Sequence, residues 1–320
     1  MRPLYLLLLT LPALAQTPAP PQITLSNGPV TATLYAPHAQ TGYYRGSRFD
    51  WSGVVASLTA NGHSYFGTGW NEVAYSPTLH DAVGGPVEEF GAVGYEAAAV
   101  GGRFLKIGVG MLRKPDEPKN FFATPYQIVN GGLWTTNYHK DYADFRHELT
   151  DKSGYGYDYR KTFRLVPGQP KLILEHRLKN TGTKSIETDV YNHNFLMPDG
   201  ETTGPDLTVT FPFLPQTSDS FGGKAALSGK TVQFMRPLNR GEFVYATLTG
   251  YGTGPDAYDI RVENRKSGAG VRVTGDRPLS KLAFWANAAN VSPEPYIRLN
   301  LPPGQETTWT ITYEFYALPR

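Results

Sequence analysis

The chain of 320 residues contains no cysteine, so no disulfide can brace it and no lipid-bearing cysteine can follow a leader. No window of about a dozen residues spaces its apolar side chains at i, i+3, i+4 and i+7, which excludes an architecture built from amphipathic helices. Charge of one sign is also lacking: 30 Lys and Arg stand against 28 Asp and Glu, a formal net of +2. Nothing in that balance favours nucleic acid or an anionic surface as a partner. No Gly-x-Ser-x-Gly elbow, phosphate loop or dinucleotide fingerprint occurs, and no cofactor is expected.

The one long apolar run opens the chain, in MRPLYLLLLTLPALAQ, and it is too short to span a membrane. With Arg2 before it and the small-x-small ending Ala13-Leu-Ala15 after it, the run reads as a secretory signal over residues 1–15. Cleavage after Ala15 leaves 305 residues with a formal charge of +1, secreted or periplasmic and without a membrane anchor. Residues 16–21 form a Pro-rich linker, and one domain is expected from Gln22 to the end.

What the chain has in quantity is 34 Gly, 26 Pro, 20 Tyr and 16 Phe, a composition of strands punctuated by turns. Short alternating segments recur, among them Val54–Thr59 and His63–Phe66 on either side of an Asn61-Gly62 hairpin signal. The last strand places Trp309, Ile311, Tyr313 and Phe315 on one face. The expected fold is all-β, a large antiparallel β-sandwich.

The organising stretch is Ile186 to Gly200, IETDVYNHNFLMPDG. Counting in twos puts Ile186, Thr188, Val190 and Asn192 on one face and Glu187, Asp189, Tyr191, His193 and Phe195 on the other. The segment Leu172–Lys179 alternates likewise, with His176 on its apolar face as a structural histidine, and Asn180–Lys184 reads as a hairpin loop pairing the two. Residues 67–102 are glycine-rich and read as a functional loop, ordered by Trp70, Tyr75 and Phe90.

Thr41–Gly53 is the densest mixture of aromatic and polar groups. It reads either as aromatics plugging a core, or as a sugar platform on which Tyr44 and Trp51 stack while Arg45, Arg48 and Asp50 meet hydroxyls. His139 with Asp141 and Asp144, or His80 with Asp81, has no recognised ligand spacing, so no metal is expected.

An Asn-His-Asn-Phe turn at Asn192–Phe195, followed about a hundred residues on by Glu294-Pro, a strand, Leu301-Pro-Pro-Gly-Gln-Glu306 and a closing strand, resembles the galactose mutarotase (aldose 1-epimerase) superfamily. The family's His-x-Tyr-Phe-Asn-Leu run reads His193-Asn-Phe-Leu-Met-Pro-Asp199 here. The resemblance implies a mutarotase-like supersandwich, His193 as general acid and Glu294 as general base. It further implies a sugar-anchoring arginine, either Arg45 or Arg48, and a second histidine, His80. Asn192 joins these as a candidate sugar ligand. The partner expected is a mono- or oligosaccharide, and the activity an exchange of anomers. A non-catalytic carbohydrate-binding protein and a polysaccharide lyase are the alternatives.

Overall fold

The structure is a computed structural model that describes residues 18–68, 74–80 and 83–319. The leader, the first part of the linker, Trp70 and Asp81 lie outside the described residues. Two large sheets form the body, and every strand pairing among the described residues is antiparallel. A ten-stranded sheet has Lys171–Asn180 near its middle, flanked by Gly156–Leu165 and Glu306–Ala317, and ends at the edge strand Leu133–Tyr138. A five-stranded sheet runs in the order Phe243–Leu248, Lys281–Asn287, Val291–Leu301, Ile186–His193, Val87–Phe90.

The core lies between these sheets. Leu172, Leu174, Leu178, Ile311 and Tyr313 from the large sheet meet Ile186, Val190, Phe284, Ile297 and Leu299 from the small one, all at most 4% exposed. Period-2 alternation therefore decides everything that faces away from the core. The expected hairpin at Asn61-Gly62 is present, with both residues at positive φ (51° and 84°), as a two-residue I′ turn requires.

Asn180–Lys184 is not a hairpin. Lys171–Asn180 belongs to the ten-stranded sheet and Ile186–His193 to the five-stranded one, so the connection arches between layers. Asn180 fixes the arch, donating from Nδ2 to the carbonyls of Lys184 and Leu301 (both 2.8 Å) and accepting from the Gly182 amide at 2.9 Å. Stacking lets both apolar faces bury against one another, whereas side-by-side pairing would need a third layer to cover them. The glycine-rich region also holds a strand unseen in the sequence, Val87–Phe90, which pairs with Ile186–His193 through Val87↔His193 and Glu89↔Tyr191. Of the aromatics thought to order that region, Phe90 is buried and Tyr75 is 54% exposed.

Candidate functional site

On the face of the five-stranded sheet turned away from the core lies a cleft of about 670 Å³. Tyr191 pairs with Tyr296 across antiparallel strands. Two residues further along each strand, in opposite directions, His193 and Glu294 therefore face one another on the cleft floor. His193 Nε2 lies 3.2 Å from Glu294 Oε1, and both side chains are only 6% exposed.

Local structure locks the imidazole. Asn194 donates its amide to the Ser292 hydroxyl (2.9 Å) and its Nδ2 to the Pro293 carbonyl (2.7 Å), while Tyr313 donates to its Oδ1 at 2.6 Å. Phe195 then turns with φ 44°, a left-handed conformation that a bulky residue adopts only when its surroundings compel it. The turn lays the Phe195 ring flat on His193, centroids 3.5 Å apart, with Phe49 and Trp285 edge-on at 5.9 and 5.3 Å. His193 Nδ1 is buried and has no hydrogen-bond partner among the described residues.

Beside the pair sits a charged cluster. Arg48 donates from Nε to Glu89 Oε2 at 2.7 Å and from Nη2 to the Tyr191 hydroxyl at 3.2 Å. Tyr191 donates in turn to Glu89 Oε2 at 2.7 Å, and Lys106 reaches Oε1 at 3.3 Å. Burial alone would raise the Glu89 carboxyl, but Arg48 and Lys106 override it and hold it down at about 2.

Among the described residues no Lys or Arg closes on Glu294, whose ion-pair partner is His193. Burial pushes its carboxyl up to about 8, and the negative Glu89 adds to the rise against the opposing pull of Arg48. Burial, Arg48 and His80 all push His193 the other way, well below the usual imidazole range. At neutral pH the pair thus holds a single proton, and the neutral and ion-pair arrangements differ only in which partner carries it.

Not every residue proposed from the sequence reaches this cleft. His193, Glu294, Arg48 and His80 line it. Tyr44 and Trp51 do not: they are 2% and 5% exposed in a second core cluster with Phe49, Phe104 and Tyr126. Tyr44 accepts the amides of Arg48 and Phe49 (both 3.2 Å), and Trp51 donates to the Gly46 carbonyl at 2.8 Å, so both brace the segment that carries Arg48. Asp50 is buried as well, under Ser52 and Tyr159. Arg45 points back toward the Ala39 carbonyl. Asn192 faces the core, donating to Tyr313 at 3.2 Å, because it shares the apolar face of its strand. His139 is 3.3 Å from Asp141, while Asp144 accepts from Thr162 instead of joining them.

The cleft walls that sequence reasoning missed are aromatic. Tyr245, Trp285 and Tyr296 rise from three neighbouring strands, and Phe122 closes over the Arg48 guanidinium at 4.4 Å. Tyr191 and Tyr296 stack at 4.2 Å. The available signal was an aromatic on the polar face of an alternating strand, as in Leu282, Phe284 and Ala286 inside with Trp285 outside.

Neither a protein-family model nor a curated protein matches the sequence. Solved structures do match the fold. The Slr1438 protein of Synechocystis sp. PCC 6803 aligns at 13% identity and TM-score 0.60, over 96% of this chain and 100% of that one. A putative aldose 1-epimerase of Escherichia coli K12 aligns at 14% identity and TM-score 0.55, over 93% and 99%. A galactose mutarotase related enzyme of Lactobacillus acidophilus aligns at 11% identity and TM-score 0.56, over 92% and 97%. Likeness at this level of identity speaks for architecture, and the chain has the galactose mutarotase-like fold.

Proposed function

We propose that the protein is an exported carbohydrate-active enzyme of the aldose 1-epimerase type, exchanging the anomers of a sugar held in this cleft. The observation that carries the reading is the apposed His193–Glu294 pair, 3.2 Å apart on the floor of an aromatic-walled cleft. Export is supported by the composition of residues 1–15.

Anomer exchange asks for one proton to leave the C1 hydroxyl and one to reach the ring oxygen. The C1–ring oxygen bond breaks as a C1 carbonyl forms, the open aldehyde rotates, and the ring closes on its other face. A pair holding one proton and one free lone pair meets both demands with no other reagent. The resting proton sits on Glu294 and passes first to His193 across their 3.2 Å contact; in the ion-pair arrangement so formed the Glu294 carboxylate takes the hydroxyl proton while the His193 imidazolium supplies the ring oxygen. Closure returns each proton, and the pair is restored. Arg48, pinned by Glu89 and Tyr191 at the cleft edge, is the candidate anchor for sugar hydroxyls.

A polarimeter tests this with freshly dissolved α-glucose and α-galactose. The protein should hasten the approach to equilibrium rotation, and Glu294→Gln or His193→Asn should each cost roughly a hundred- to ten-thousand-fold. Oligosaccharide binding without acceleration would instead make the protein a binding module. Ultraviolet absorbance of an unsaturated uronate, growing on a uronate polymer, would make it a lyase.

A further inference from the structure

The aromatic faces continue beyond the pair. Tyr245 stands directly across from Trp285, and Phe243 lies two residues along the same strand, opposite Asn287. Val244, Ala246 and Leu248 bury on the core side, so Phe243 and Tyr245 project on the cleft side with Trp285. The Trp285 ring centre is 5.3 Å from His193, while Tyr245 and Phe243 are 43% and 60% exposed on the edge strand of the five-stranded sheet. Exposed aromatics on an edge strand invite aggregation and are kept for a reason.

We propose that the site takes the reducing end of a neutral oligosaccharide, whose remaining rings stack outward along Trp285, Tyr245 and Phe243. This rests on the epimerase reading above, which requires a free C1 hydroxyl over His193 and Glu294. Any further sugar must then be attached through another hydroxyl and leave the pair in one direction. Neighbouring faces recur at roughly 5 Å across strands and roughly 7 Å along one, distances comparable to a pyranose ring. The cleft, at about 670 Å³, has more room than one hexose fills. The charges around the strip are already matched, Glu242 by Arg236 at 2.7 Å and Asp189 by Arg298 at 3.1 Å, while Lys281 lies over the Tyr296 ring at 4.8 Å, so the strip favours an uncharged chain.

Titration calorimetry with glucose, galactose and their α-1,4- and β-1,4-linked di- and trisaccharides tests the proposal. Affinity should rise roughly three- to tenfold for each ring that gains an aromatic face. Phe243→Ala should erase the gain from disaccharide to trisaccharide, and Tyr245→Ala the gain from the second ring as well. Leu133→Ser, at a 63% exposed position on the far edge of the large sheet, should keep both gains. Equal affinity for one, two and three rings would overturn the proposal, as would a gain that survives both aromatic substitutions. If polarimetry shows exchange on monosaccharides while the length series is flat, the proposal fails and the epimerase reading stands. A length gain without exchange would keep the aromatic track but discard that reading and with it the reducing-end orientation, and no binding to any of these sugars overturns both.

Discussion

Glu88 and Glu89 are neighbours on one strand, and period-2 alternation sends them into two different worlds. Glu88 points between the sheets, where Lys161 and His176 (Nε2 to Oε1, 2.8 Å) close on it with no side-chain exposure at all. Lys161 also donates to the Ser52 carbonyl at 3.2 Å, and His176 stacks flat on Trp309 at 4.6 Å. Glu89 points into the cleft, toward Arg48, Lys106 and Tyr191, and beyond them to the His193–Glu294 pair. Around Glu88, burial is overridden by Lys161 and His176 and the carboxyl is held low. Around Glu294, burial wins and the carboxyl is raised. Both regions are buried and both are rich in acid and base. What separates them is whether a fixed cation closes on the carboxylate: Glu88 has Lys161, whereas Glu294 faces the imidazole of His193 and is left free to exchange a proton with it.

The largest expected effect is on the sealed side. Lys161→Met leaves the Glu88 carboxylate without its cation, which should cost about 3–5 kcal/mol of stability by urea denaturation while the folded fraction keeps its anomer exchange. A loss below about 1 kcal/mol would mean that the sealed cluster does not hold the sheets together. Trp51→Ala should cost a similar 3–5 kcal/mol, since the side chain is 5% exposed core, with sugar affinity falling only through the displaced Arg48 segment. A stable variant that has lost affinity would return Trp51 to the sugar platform.

The cleft side should show its signature in pH. Glu294 ionises near its ordinary 4.5 in the unfolded chain and near 8 in the folded one, so its contribution is complete below 4.5 and is lost as pH rises through 8. Glu294→Gln does not titrate. It should match the parent near pH 4 and exceed it near pH 9 by on the order of 3–5 kcal/mol in denaturant midpoints. Glu89, held at about 2, carries the opposite sign: its stability is present above its ordinary 4.5 and is lost as pH falls toward 2. If Glu294→Gln gains nothing at high pH, the carboxyl is not raised and the contrast between the two clusters collapses. The smallest effect belongs to Tyr191→Phe, which removes hydroxyl contacts to Glu89 and Arg48 and should cost about 1 kcal/mol while loosening sugar binding several-fold.

Much of this contrast was written in the local sequence. Alternation along Ile186–His193 separated the core face from the face that carries His193, and the same count put His176 against the core. What alternation cannot supply is the partner of each strand. Asn180–Lys184 has the residues of a hairpin loop and forms an arch, because the choice depends on where a second apolar face lies in space. Thr41–Gly53 stayed open between two readings for a related reason: Tyr, Trp and Arg serve a sugar platform and a core equally well, and only burial tells Tyr44 and Trp51 from Arg48. Glu88 and Glu89 were hidden in a glycine-rich stretch, four residues being too short a run to alternate visibly.

The proposed exchange depends on the one proton that His193 and Glu294 share. Its most direct test is the rate of anomer exchange as a function of pH, with the uncatalysed rate subtracted at each point. The rate should hold through neutrality and fall as pH rises past about 8, where Glu294 loses its proton and the pair has none left to give the ring oxygen. A rate that is unchanged or rises through that range would contradict it.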